Sequence, residues 1–160
     1  KMVELNITAL LYLSRIAIKY MKPGACLIQV ASSAAFTPSP FFSVYAATKS
    51  FVLSFSDALG FELRKQGIQV ISVCPGPVET EFFSVAQKNE YMRDKVGEAE
   101  PVQRAFYASA KAVVAQALSD MEHGRRRSIH GWPIRLFARV AAYIPLNMRL
   151  SAMARRNLIK

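Results

Sequence analysis

Glycine is scarce in this 160-residue chain, and its seven copies stand singly, the first at Gly24. No glycine-rich strand-to-helix turn exists, so no helix N-terminus is prepared to receive a pyrophosphate. Cysteine is scarcer still. Cys26 and Cys74 both fall in apolar runs that predict buried strands, so they are read as free thiols and not as a disulfide or metal site. His123 and His130 are isolated, which leaves no Cys/His cluster and predicts no metal centre. No apolar run approaches the roughly 18 residues of a membrane-spanning helix, and no signal peptide is visible. The chain opens on Lys1 in what reads as mid-helix, which predicts the C-terminal portion of a longer protein. Acid is absent from residues 125–160, which hold nine Lys/Arg, while residues 1–124 are nearly balanced at twelve Lys/Arg against eleven Asp/Glu.

What is present is a strand–helix alternation. Residues 2–21 predict a helix with Leu5, Ala9, Leu10, Leu13, Ile16 and Ala17 at helical spacing, ended by Lys22-Pro23-Gly24. Residues 25–31 form a nearly continuous apolar run, as in a strand covered on both faces. A loop at 34–43 leads to a helix from Ser43 to Lys65, closed by Gly67, and Ile68–Cys74 is the next buried strand. Residues 75–91 predict a loop and short helix over a substrate. Pro101 suits the first turn of a helix to Glu122, and Ser128-Ile129-His130 a last short strand. This order means an α/β fold with a parallel sheet.

The chemistry concentrates on Ser32, Tyr45 and Lys49. Tyr45 and Lys49 lie four residues apart at the start of a helix, on one face. A nearby ammonium favours a phenolate and pulls a Tyr pKa down from about 10. Such a Tyr is a general acid/base for an alcohol or carbonyl, and Ser32, at the end of an apolar strand, can hold the substrate oxygen. The same spacing recurs at Tyr91/Lys95 and Tyr107/Lys111, but only Tyr45 has a Ser thirteen residues upstream at a strand end. Ser33 is the alternative Ser, although strand alternation turns it the other way. Thr48 and Ser50 are read as helix-packing residues. Thr37, Ser39, Phe41 and Phe42 sit where a pocket wall is expected, with Phe82 and Phe83 on the other side, so an apolar or bulky substrate is favoured.

Asn6, Ser32, the Tyr45-Ala-Ala-Thr-Lys49 segment and the Pro75-Gly76-Pro77-Val78-Glu79-Thr80 loop, in this order, resemble the short-chain dehydrogenase/reductase family over about residues 1–131. The resemblance implies a partial, Rossmann-like doubly wound parallel sheet, with residues 132–160 as a basic helical extension. It implies an NAD(P)-dependent alcohol/carbonyl oxidoreductase, with NAD or NADP unassigned and a homodimer or homotetramer. Tyr45 becomes the acid/base, Ser32 the group that orients the carbonyl, and Lys49 the group that tunes Tyr45 and bonds the nicotinamide ribose. Asn6 supports a proton relay, while Pro75, Gly76, Val78 and Thr80 border the nicotinamide. The family's glycine-rich cofactor half has no counterpart in this chain. Other readings of the residues are a catalytically silent binding protein on the same fold, or a lipid- or nucleic-acid-binding module run by the basic tail. Nucleic acid is not the favoured partner, and the site is expected in the cytoplasm, with membrane contact through 132–160 as an option. In that tail Ile134, Phe137, Ala138, Ala141 and Ile144 share one helical stripe and Arg135 and Arg139 another. Pro145 ends that helix, and Asn147 opens the next.

Overall fold

The structure is a computed structural model that describes residues 1–79 and 107–158. Its centre is a three-stranded parallel sheet in the order β1 (Cys26–Val30), β2 (Gln69–Val73), β3 (Arg127–Ser128). Cys26 pairs with Gln69 and Val30 with Val73, while Ser72 and Val73 face Arg127 and Ser128. Helix α1 comprises a π-helical stretch, Glu4–Ala9, running into Leu10–Ile18. Helix α2 spans Ser43–Leu63 and continues as a 3₁₀ turn, Arg64–Gln66, to Gly67. Gly67 takes φ +69°, the left-handed conformation that lets the helix stop and feed β2. Helix α3 spans Ala110–Glu122, α4 Trp132–Val140 and α5 Leu146–Leu158. The predicted parallel α/β architecture is what forms.

The two faces of the sheet are covered unequally. On one face Leu27, Val70, Ala31 and Cys74 pack with Val52, Leu53, Leu59 and Leu63 of α2 and with Leu10 and Ile18 of α1. On the other, Val73 packs with Val113 and Ala117 of α3. Ile71 is fully buried in the central strand, but Ile28 and Val30, on β1, are 41% and 58% exposed. Among the described residues, then, the run 25–31 is covered on one face only. The edge strand is closed on the α1/α2 side and open on the α3 side, because α3 lies over β2 and β3. Within β1 the buried residue is the polar Gln29; its Nε2 donates to Ser14 Oγ at 2.8 Å, and Ser14 donates in turn to the Leu10 carbonyl. Helix α1 accordingly packs through Leu10, Ser14 and Ile18, while Leu5, Leu13 and Ile16 face outward.

Two boundaries also move. Helix α3 begins at Ala110, capped by Ser109 Oγ accepting from the Ala112 N–H at 3.2 Å, so the helix expected from Pro101 is not continuous through 107–109. Ala108 is instead extended, in a parallel bridge with Val78, its N–H donating to the Pro77 carbonyl at 3.0 Å. Pro101 itself, with Tyr91 and Lys95, lies outside the described residues. The last strand is Arg127–Ser128, one residue before the predicted one. Arg127 is drawn there by a two-toothed ion pair with Asp57 of α2, whose carboxylate also holds the guanidinium pKa above its ordinary value.

Candidate active site

Ser32 follows β1 directly. Its backbone is extended, and its Oγ accepts from the Ala34 N–H at 3.2 Å, starting a 3₁₀ turn at Ser33–Phe36. Hydroxyl-to-backbone caps of this kind hold a side chain in one rotamer. The Ser33 N–H donates to the Pro75 carbonyl at 2.8 Å, which docks the Pro75-Gly76 loop beside Ser32 at the C-terminal ends of β1 and β2. That is the end of a parallel sheet where ligands bind.

Lys49 reaches this same end. From the second turn of α2 its Nζ donates to the Val30 carbonyl at 2.9 Å, two residues before Ser32. The ammonium also lies 5.9 Å from the centre of the Tyr45 ring, at the outer limit of a useful cation–π approach. Burial pushes the Lys49 pKa below its ordinary 10.5. Cys74, buried beneath it, is pushed up to about 12, chiefly by desolvation, so it stays a neutral thiol.

Asn6 joins the group through a residue that sequence reasoning had assigned to packing. Asn6 Nδ2 donates to Thr48 Oγ1 at 3.0 Å, and Thr48 Oγ1 donates to the Tyr45 carbonyl at 2.8 Å. Thr48 is 2% exposed, and both bonds are part-buried. Asn6 sits in the π-helical stretch of α1, a local widening often found at functional sites. The signal that could have singled out Thr48 was its place between Tyr45 and Lys49 on a helix whose opposite flank is apolar.

Sequence-predicted residues Asn6, Ser32, Tyr45, Lys49, Pro75 and Gly76 are thus drawn to the head of α2 and the strand ends. Val78 is tied to Ala108, further along the loop. Thr80 and Phe82 lie outside the described residues. Tyr107 precedes α3, so Tyr107 and Lys111 do not share a helical face.

A shallow cavity of about 360 Å³ opens beside α2, lined by Phe36, Thr37, Ser43, Ala47 and Ser50, with Leu150 of α5 at its rim. Ala46, Ala47 and Ser50 project from the flank of α2 away from the Tyr45–Lys49 row. Phe41 is not among the lining residues. It is half-buried and holds φ +67°, a conformation costing a bulky residue about 1–3 kcal/mol.

The family model described as short chain dehydrogenase matches residues 1–91. The chain belongs to the short-chain dehydrogenase family. The uncharacterised oxidoreductase YghA of Escherichia coli is 32% identical over 122 residues, covering 76% of this chain and 42% of that protein. Among solved structures, a short-chain dehydrogenase from Burkholderia cenocepacia in complex with NADP superposes at TM-score 0.69 with 24% identity, covering 98% of this chain and 59% of that one. One from Sphingobium yanoikuyae in complex with NADPH gives TM-score 0.62 with 25% identity, covering 88% and 52%. This short-chain dehydrogenase chain therefore spans about half the length of the relatives it matches.

Proposed function

We propose that the protein carrying this chain is an NAD(P)-dependent oxidoreductase that interconverts an alcohol and a carbonyl on an apolar or bulky substrate. The observation that carries the reading is the Lys49–Val30 hydrogen bond, which pins the Tyr45–Lys49 turn against the strand end bearing Ser32. Those residues fit the nicotinamide-ribose end of a dinucleotide. Lys49 supplies the cation for a ribose hydroxyl, and the Pro75-Gly76 loop, held by Ser33, supplies a wall. The glycine-rich turn that would hold the pyrophosphate does not occur in this sequence, whose glycines stand singly. When bound, the dinucleotide supplies or accepts the hydride.

Tyr45 delivers a proton to the substrate oxygen as a carbonyl is reduced, and takes it back in the reverse direction. Ser32 donates a hydrogen bond to that oxygen, where negative charge develops. Asn6 and Thr48 hold the backbone of Tyr45 in place. The preference for apolar substrates is supported by Phe36 and Leu150, which line the cavity beside α2.

Assembly as a homodimer or homotetramer is supported by Leu5, Tyr12, Leu13 and Ile16, an outward apolar set on α1. Light scattering of the full-length protein tests it, and an active monomer would refute it. The unpaired Cys26 and Cys74 suit a reducing, cytoplasmic compartment.

The decisive experiment is Tyr45→Phe in the full-length protein, assayed for NADH and NADPH oxidation with a panel of ketones. Turnover is expected to fall at least about 10²-fold, with cofactor binding retained. Full activity in Tyr45→Phe, with loss in Tyr91→Phe, would overturn the assignment. If the wild-type protein binds dinucleotide but oxidises none, the catalytically silent reading stands instead.

A further inference from the structure

Helix α4 has two apolar faces, and the molecule uses one. Inward, Ile134 packs so closely on Gly76 that a side chain at Gly76 would meet it at 3.1 Å, and Ala141, in the following turn, is 1% exposed. Arg135 Nη2 donates to the Ile129 carbonyl at 3.3 Å, which fixes the helix in this orientation. Outward stand Trp132, Leu136, Val140 and Tyr143, spaced by four, four and three residues and so on one stripe. They are 74%, 52%, 38% and 87% exposed. Arg139 is exposed beside them, and Leu146 and Met148 continue the exposed apolar residues into α5.

The segment that carries this row is charged with one sign. Residues 125–160 contain nine Lys/Arg and no acid. Among the described residues, two of those cations are neutralised within the fold, Arg125 by Asp120 and Arg127 by Asp57. A nucleic-acid surface is polar and would leave Leu136 and Val140 without apolar cover. The boundary between headgroups and acyl chains matches both features: Trp and Tyr rings rest there with apolar bodies in and polar tips out, and arginines meet lipid phosphates. We propose that the outer face of α4, with Tyr143, is a peripheral docking surface for an anionic lipid bilayer.

The contact lies on the membrane and does not cross it, since no helix among the described residues is long and apolar enough to span one. Helix α4, with nine residues, is about 14 Å long. Its inner face rests on Gly76, so docking holds the loop beside Ser32 about one helix diameter, ~10 Å, from the lipid.

The test uses the full-length protein and extruded vesicles, either phosphatidylcholine alone or phosphatidylcholine with about one third phosphatidylglycerol. Co-sedimentation is expected with the anionic vesicles and to weaken as salt is raised. The double variant Trp132→Ala/Leu136→Ser should lose at least about tenfold in vesicle affinity, and Arg139→Glu should weaken binding to the anionic vesicles. Emission from Trp132, obtained by subtracting the Trp132→Phe spectrum, should move to the blue on binding. Oxidation of NADPH with a water-soluble ketone should be unchanged in the double variant, so a failure of docking is read separately from a failure of the catalytic assignment. No sedimentation, equal binding to neutral vesicles, or undiminished binding by the double variant would each overturn the proposal. So would a double variant that dissociates an oligomer while keeping its affinity for lipid, because the row would then be a contact between copies of the chain.

Discussion

Helices α2 and α4 each present apolar side chains on more than one side, yet they are covered very differently. Val52, Leu53, Leu59 and Leu63 of α2 are all buried, and Phe51 and Phe55 stack with ring centres 5.9 Å apart. Its two exposed large apolar residues, Val44 and Phe61, are seventeen positions apart. On α4, by contrast, Trp132, Leu136 and Val140 remain a continuous exposed row. The cause is topological. Helix α2 connects two adjacent parallel strands and is laid along the sheet against α1, whereas α4 follows the last strand and touches loops. Polar groups obey the same contrast. Thr48 and Ser56 on α2 are buried and bonded to backbone carbonyls, while Arg139 on α4 is exposed.

The strongest way to break this contrast is Leu53→Ala. Leu53 is 8% exposed at the centre of the α2–sheet cluster, so its loss should destabilise the full-length protein by about 2–5 kcal/mol in urea unfolding. A cost near zero would mean that the α2 interface is looser than described. Thr48→Val comes next. It leaves Asn6 Nδ2 without its acceptor in a part-buried site, an effect of about 1 kcal/mol. Thr48→Ser should recover most of it, and activity should follow the same order because the Tyr45 carbonyl also loses its donor. If Thr48→Val is as stable and active as wild type, Thr48 is a packing residue after all.

A smaller effect concerns pH. Burial lowers the Lys49 pKa below 10.5, so the ammonium is lost at a lower pH than in an ordinary lysine, and the alkaline limb of activity should begin below that value. Between the folded Lys49 pKa and 10.5 the unfolded chain binds the extra proton, so this residue makes stability rise with pH across that window. Lys49→Met should abolish that slope and move the pH optimum of residual activity upward, since the cation beside Tyr45 is gone. Unfolding curves of the two proteins across that pH range check the sign. The smallest effect is expected for Leu136→Ala, within about 0.5 kcal/mol of wild type, because Leu136 is half exposed on the outer face of α4. A loss comparable to that of Leu53→Ala would show that the row is covered in the assembled protein.

Much of the layout of the candidate site was legible because its signals are local. The four-residue spacing of Tyr45 and Lys49 puts them on one face of any helix, and Ser32 ends an apolar run that could scarcely be other than a strand. The role of Thr48 was not legible, since its donor, Asn6, is forty-two residues away. The helix expected from Pro101 failed at 107–109 for the same reason. Ala108 has no local cue for extension, and its pairing with Val78 comes from thirty positions upstream.

The sequence by itself determined most of the elements, the family and the spacing that sets Tyr45 and Lys49 on one face of a helix, because those depend on patterns within one helix or strand. Only the tertiary structure decided which apolar faces are covered, which hydroxyl links Asn6 to the Tyr45 backbone, and that Lys49 is pinned to the end of β1. Those outcomes depend on which distant segments meet, and long-range contact is what single-element periodicity does not encode.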